Sequence, residues 1–245
     1  MYEEHPVFES PHEDAVLWRY MDFTKFVSLL DAQSLFFSRA DRLGDPFEGS
    51  YSKANIALRP ALYQGTILQF AWETLAPFYQ AMRQFTLINC WHEANHESAA
   101  MWRLYSRDND GIAIRTTFNA LTQSFTCNDT IFIGKVNYID YSTTFISEQN
   151  MFYPYLHKRQ SFEHEREVRA ITQNMPAGGV SLDMPQETNA TGSYYAVDPS
   201  LLIEEVIVAP YADSWFLELV QAVATRYGLK APVVRSGLSE SPIWS

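Results

Sequence analysis

Glu163-His164-Glu165-Arg166-Glu167-Val168-Arg169, running into Ala170-Ile171-Thr172, crowds three carboxylates and two guanidinium groups against a short apolar run. Read as a strand over residues 165–171, the two-residue period puts Glu165, Glu167, Arg169 and Ile171 on one face and Arg166, Val168 and Ala170 on the other. The two carboxylates then stand roughly 7 Å apart, with Arg169 the same distance further on. Like charges that close are disfavoured unless a cation, a hydrogen-bond donor or a substrate hydroxyl lies between them. The segment therefore reads either as a carboxylate site or as a salt-bridged sheet edge held by Arg169.

Around this stretch the apolar spacing alternates between strand and helix periods. Leu17-Trp18-Arg19-Tyr20 predicts a strand. Asp22 follows as an N-cap, opening a helix with Phe23, Phe26, Val27, Leu29 and Leu30 on its apolar side. Strands are expected at Ser34–Ser38, Leu87–Trp91, Gly111–Ile114, Ile131–Tyr138, Glu205–Ala209 and Pro232–Arg235. Residues 53–86 read as a helical insert broken near Pro60 and Pro77, and residues 150–162 as a further helix. Ser98 caps a helix carrying Met101, Trp102 and Tyr105, and Ser214 to Tyr227 is a helix ended by Gly228. Asn174 to Gly192, rich in Pro, Gly, Ser and Asn, is expected to be a mobile loop, and residues 237–245 a tail. Steady βαβ alternation is absent, as are GxGxxG and GxxxxGK[ST], so neither a Rossmann nor a P-loop site is supported. The expectation is an α+β fold: a single domain over 1–245, its core about 15–236, with a mixed or mostly antiparallel sheet and helical insertions.

The chain has 245 residues, 47% of them hydrophobic and 15% aromatic, enough to build a sizeable core. Its net charge of −11 opposes general nucleic-acid binding but leaves room for a local basic pocket. Cys90 and Cys127 do not make a disulfide framework, and no export or membrane segment is read, so a cytoplasmic setting is expected.

Three constellations bear on chemistry. His92-Glu93-Ala94-Asn95-His96 spells HExxH, which on a helix would set two imidazoles one turn apart for zinc beside a glutamate base. It follows an apolar strand, and only Glu97 and Asp108 offer themselves as a third ligand, so no metal is expected. Arg19, between Trp18 and Tyr20, calls for an anionic ligand or a buried partner such as Asp45 or Glu48. Trp102 and Tyr105 read as core, with Trp91, Tyr20 and Tyr105 also available to stack on a planar base. Lys158 and Arg159 read as a solvated basic patch, and Ser38 as a strand-end hydroxyl.

Leu17-Trp18-Arg19-Tyr20, Leu35-Phe36-Phe37-Ser38, Asp45-Pro46-Phe47-Glu48, Met101-Trp102-Arg103-Leu104-Tyr105, Gly111-Ile112-Ala113-Ile114 and Glu165-Arg166-Glu167-Val168-Arg169 stand in an order that resembles the bacterial domain-of-unknown-function family 2971. The resemblance runs over about residues 15–236. It implies a toxin, mobile-element or phage-defence setting and names no reaction. Two departures are Gly44 where the family has Asn, and Cys90-Trp91-His92 where it has Phe-Ser.

The order Arg19, Ser38, Glu167 is also similar to the arginine, serine, glutamate layout of ADP-ribosyltransferases. That similarity implies NAD as substrate, with Arg19 on the diphosphate, Ser38 on the nicotinamide ribose, Glu167 on a ribose hydroxyl, Glu165 as a base for the accepting nucleophile, and Tyr20 assisting. Asp45, Glu48, Trp102, Tyr105, Lys158 and Arg169 would support them. The expected partners are a nucleotide small molecule and a protein partner or antitoxin. A nucleic-acid acceptor stays open, and no membrane is involved. The alternatives are a non-catalytic sensing or protein-interaction domain and a zinc hydrolase using His92 and His96.

Overall fold

The computed structural model describes residues 1–66, 72–106, 110–175 and 190–244, the side chains of 72–75 excepted. The fold is α+β around a largely antiparallel sheet. At its centre β1 (Val16–Asp22) pairs along its whole length with β4 (Gly111–Thr117). Beyond β4 lie β10 (Glu205–Val208), antiparallel, and β11 (Val233–Arg235), parallel to β10.

The other side of β1 positions the site. β3 (Thr86–Glu93) meets β1 only at its end, through Leu17↔Glu93 and Trp18↔His92. Its beginning pairs instead with β2 (Ser34–Arg39), through Ser38↔Ile88 and Arg39↔Leu87. Between these pairings, over Asn89 to Trp91, β1 and β2 part company and the sheet splits. β2 goes on to pair with β9 (Gly192–Ala196), and β3 pairs along Thr86 to His92 with β8 (Glu167–Gln173), which pairs in turn with β5 (Phe132–Lys135). Flanked on both sides, β8 is not a sheet edge.

The period-two reading of β8 holds from Glu167 onward. Val168 and Ala170 enter the main core with Leu17, Phe26, Ile112 and Val206, whereas Ile171 joins a smaller cluster with Phe8, Ile88 and Tyr155 on the opposite face. Each large apolar side chain so buried contributes about 1.5–3 kcal/mol. Local chemistry sets the helix starts as expected. The Asp22 carboxylate accepts from the Lys25 amide at 2.8 Å at the start of α1 (Phe23–Ala32), and Ser98 accepts from the Met101 amide at the start of α4 (Ala99–Tyr105).

Several expectations are corrected. Glu165 is not in the strand: residues Gln160–Glu165 form a 3₁₀ helix that Arg166, at φ 40°, turns into β8. The helix expected over 150–162 is replaced by a 3₁₀ turn at Tyr153–Tyr155 and the short strand β7 (His157–Arg159), parallel to β6 (Asn137–Ile139). Pro154 suits that turn, since it sits where the missing N–H costs nothing. Pro60 and Pro77 do not break helices but lie within α2 (Lys53–Leu62) and α3 (Trp72–Phe85), each forfeiting one backbone hydrogen bond. Three elements were not anticipated: β9, α5 (Phe118–Ser124) and α6 (Pro199–Leu202). α7 (Ser214–Arg226) is as read, and the tail opens with a 3₁₀ turn at Gly237–Ser239. Residues 176–189 of the expected mobile loop, and Asp108, lie outside the described residues. Among the described residues no helix is long and apolar enough to cross a membrane.

Candidate active site

The split between β1 and β2 opens into a cavity of about 820 Å³, lined by residues of β1, α1, β2, β3 and the turn into β8. Arg19, Tyr20, Ser38, Glu165 and Glu167 all line it, as do Asp45, Glu48, Tyr105 and Lys158. Trp102 and Arg169 do not line it but stand behind it.

Glu167 opens β8 on the same face as Arg169, as the strand period requires. Arg169 is wholly buried and forks onto Glu48 at 2.7 and 2.8 Å, and onto Glu167 at 2.6 and 2.8 Å. It also donates to the Tyr155 carbonyl at 2.7 Å. Lys158 bonds Glu165 and stands 3.5 Å from Glu167 and 3.7 Å from Glu48. It is buried, not solvated, because β7 turns it inward under the Phe162 ring, 4.7 Å from its centroid. Arg159 pairs with Asp45 at 2.8 Å and lies over Phe47 and Phe162.

These neighbours drive the two carboxyls apart. Burial, then the charge of Glu167, raises the Glu165 carboxyl above its ordinary range. Burial pushes the Glu167 carboxyl the same way, but Arg169 and Lys158 together outweigh it and hold the group below that range. Two adjacent carboxyls with opposite tendencies are the usual setting for unlike roles in one reaction.

Arg19 has neither of the partners anticipated for it, since Asp45 is taken by Arg159 and Glu48 by Arg169. Its guanidinium donates to the Cys90 carbonyl at 2.7 Å, in the split stretch of β3, and lies 5.8 Å from the Trp91 ring centroid. Among the described residues no carboxylate lies within 4 Å of it. A cation so placed at a cavity wall is free to receive an anion. Lys25 and Arg42, from α1 and the turn after β2, line the cavity as well. Arg19, Lys25 and Arg42 thus line the cavity from the β1, α1 and β2 region, which also supplies Asp45 and Glu48, while Glu165, Glu167 and Lys158 line it near the start of β8.

Among the described residues the Ser38 hydroxyl makes only a 3.4 Å contact with the Arg39 carbonyl, which leaves most of its hydrogen-bonding capacity open there. Opposite Ser38 in the ladder stands Gly192, where a Cβ would collide with the Phe37 carbonyl. Tyr20 is pinned by the Ser98 amide, which donates to its hydroxyl at 2.9 Å, and burial pushes that phenol up to about 12. Its ring meets Trp102 edge-on at 4.9 Å between centroids, and the Trp102 indole donates to Glu97. Trp102 is core as read, but Tyr105 is 45% exposed and is not.

The HExxH segment does not make a zinc motif. His92 is in β3 and His96 in the bend beyond it, so the one-turn spacing never forms. Among the described residues no cluster of three or more His, Cys, Asp or Glu could hold a metal. His92 nevertheless lines the cavity, directly across the ladder from Glu167. The signal that could have found it is its even spacing from Ile88 and Cys90 along β3, which puts all three on the cavity face.

The model of the family described as "Protein of unknown function (DUF2971)" matches residues 101–170, the segment that holds Trp102, Lys158, Glu165, Glu167 and Arg169. Among solved structures, the chain is similar to Thermus sp. 2.9 DarT in complex with ADP-ribosylated ssDNA. That match has 10% identity and a TM-score of 0.40, over 94% of this chain and 97% of the other. It is similar as well to the same protein's complex with carba-NAD+, at 10% identity and a TM-score of 0.39 over 92% and 97% of the two chains. The complex with NAD+ aligns at 9% identity and a TM-score of 0.41, over 95% and 100%. No curated protein matches the chain.

Proposed function

We propose that this chain is an NAD-consuming enzyme of ADP-ribosyltransferase type, acting in the cytoplasm as a toxin or defence effector. One observation supports this above others: Arg19, which has no carboxylate partner among the described residues, the divergent Glu165/Glu167 pair and Ser38 all line the same cavity.

NAD has a diphosphate anion and a pyridinium cation separated by a ribose. Arg19 offers a cation to the diphosphate and Glu165 and Glu167 offer negative charge to the ribose and pyridinium, and about 820 Å³ falls within the range of ligand sites. Arg19 takes the diphosphate, Ser38 supports the nicotinamide ribose, and Tyr20 provides an apolar wall. Glu167, held ionised by Arg169 and Lys158, faces the ribose. As the glycosidic bond breaks, its electron pair leaves with nicotinamide and positive charge develops on the sugar. A fixed carboxylate stabilises that state more than the ground state. Glu165 orients the accepting nucleophile. The acceptor is a water, a protein group or a nucleic acid, and an antitoxin or other protein partner controls access.

The test is NAD turnover by the purified chain, alone and with its partner, followed by nicotinamide release. Glu167→Gln is expected to lower the rate at least about 100-fold with little change in NAD affinity. Turnover by Glu167→Gln at the wild-type rate contradicts the proposal.

A further inference from the structure

His92 lines the cavity beside Glu167 but takes no part in the NAD chemistry proposed for it. Its Nδ1 lies 2.6 Å from the Glu165 carbonyl. A carbonyl only accepts, so Nδ1 carries the proton, and in the neutral ring Nε2 is then left with a lone pair. Nε2 has no hydrogen-bond partner among the described residues, and the side chain lines the cavity.

The surroundings keep this ring neutral. From β1 it faces Tyr20, with 6.3 Å between ring centroids; from its own strand Glu93, which Lys135 of β5 neutralises at 3.0 Å; from β8 Glu167; and from the turn before β8 Glu165, Arg166 and His164. Burial pushes the imidazole below its ordinary range, and the Glu165 carbonyl, which favours the charged form, does not reverse this. One Glu165 carboxylate oxygen is taken up by the Lys158 ammonium, whereas His92 Nε2 is unengaged among the described residues.

We propose that His92 is the proton acceptor of this cavity, its Nε2 taking the proton of the nucleophile that Glu165 orients. This rests on the NAD reading and deepens it. The nucleophile's oxygen or nitrogen bonds to the ribose carbon as the bond to nicotinamide breaks, and that bond's electron pair neutralises the pyridinium nitrogen. The nucleophile's proton passes to Nε2, and the imidazolium then loses it to water. Atoms and charge balance without any further reactant. The hydrogen bond to Glu165 also makes His92 the link that holds acceptor orientation and proton removal in one geometry.

The experiment compares wild type with His92→Asn, whose side-chain amide can still donate to the Glu165 carbonyl but has no basic nitrogen. His92→Asn is expected to bind NAD within about threefold of wild type and to transfer about 100-fold or more slowly. Its rate is also expected to lose the acidic limb, which in wild type falls one decade per pH unit below the imidazole's own, lowered, titration point. Nitrogen-15 NMR of the full chain should show the Nδ1-protonated tautomer. Retention of rate or acidic limb in His92→Asn, or an Nε2-protonated ring, overturns the role of His92 while leaving NAD turnover intact. No NAD turnover by wild type overturns the underlying reading together with it.

Discussion

Arg169 reaches back along its own strand to Glu167, with Nη2 and Nε at 2.6 and 2.8 Å from the same carboxylate oxygen, and it does so from a site with no solvent exposure. The crowded charges of residues 163–169 are thereby explained: the arginine compensates the carboxylate, and Lys158 supplies the second positive charge. Glu48 completes the group from a turn more than a hundred residues earlier in the chain.

Removing that arginine should therefore be costly. Arg169→Met leaves Glu48 and Glu167 buried with only Lys158 between them, and a loss of about 3–5 kcal/mol is expected in urea denaturation. Arg169→Lys should recover only part of it, since an ammonium lacks the planar fork that meets both Glu48 oxygens while also bonding Glu167.

Arg19 predicts the opposite balance. Among the described residues no carboxylate depends on it, so Arg19→Ala should cost about 1–2 kcal/mol of stability, from the Cys90 carbonyl bond and packing on Trp91. NAD or inorganic diphosphate should bind roughly 10- to 100-fold more weakly, the worth of charge-assisted hydrogen bonds, when followed by calorimetry.

The two glutamates should respond to pH with opposite signs. A carboxyl lowered on folding contributes stability that is present above its unfolded value and lost as pH falls through the folded one. Glu167→Gln is then expected to destabilise at pH 7, with the difference shrinking toward pH 3. Glu165 is raised on folding, so its contribution is present at low pH and lost as pH rises. Glu165→Gln should be relatively more stable at pH 8 than at pH 4. Thermal melts of both variants across that range would show the crossing.

Much of the fold could be read from local pattern, because strand period and caps are local properties. The alternation in Glu167 to Ile171, the Asp22 cap and the Ser98 cap all stand where the sequence puts them. What failed was non-local. Lys158 has the composition of a surface residue, and only the pairing of β6 with β7 turns it inward. Glu165 follows the strand pattern, yet the left-handed Arg166 detaches it. Arg19 was readable as an unusual position, Ser38 only as a strand-end hydroxyl. That they line one cavity with Glu167 depends on the split of β3 between two neighbours, which no short motif encodes. His92 was masked by the chance spelling of a metal motif.

The Asp45-Pro46-Phe47-Glu48-Gly49 turn carries two of the buried acids, and Gly49 makes it possible. At φ 71° a side chain is strained, and a Cβ there would run into the Tyr155 ring. Gly49→Ala should lose at least about 1–2 kcal/mol and shift Glu48 away from Arg169, detectable as a lowered unfolding midpoint.

The most direct test of the central claim is release of nicotinamide from NAD by the full chain with its partner, measured side by side for wild type, Arg19→Ala and Glu167→Gln. Turnover by wild type is expected, with Arg19→Ala impaired mainly in NAD affinity and Glu167→Gln mainly in rate. Absence of NAD binding and turnover in wild type, or full activity in both variants, would contradict the account.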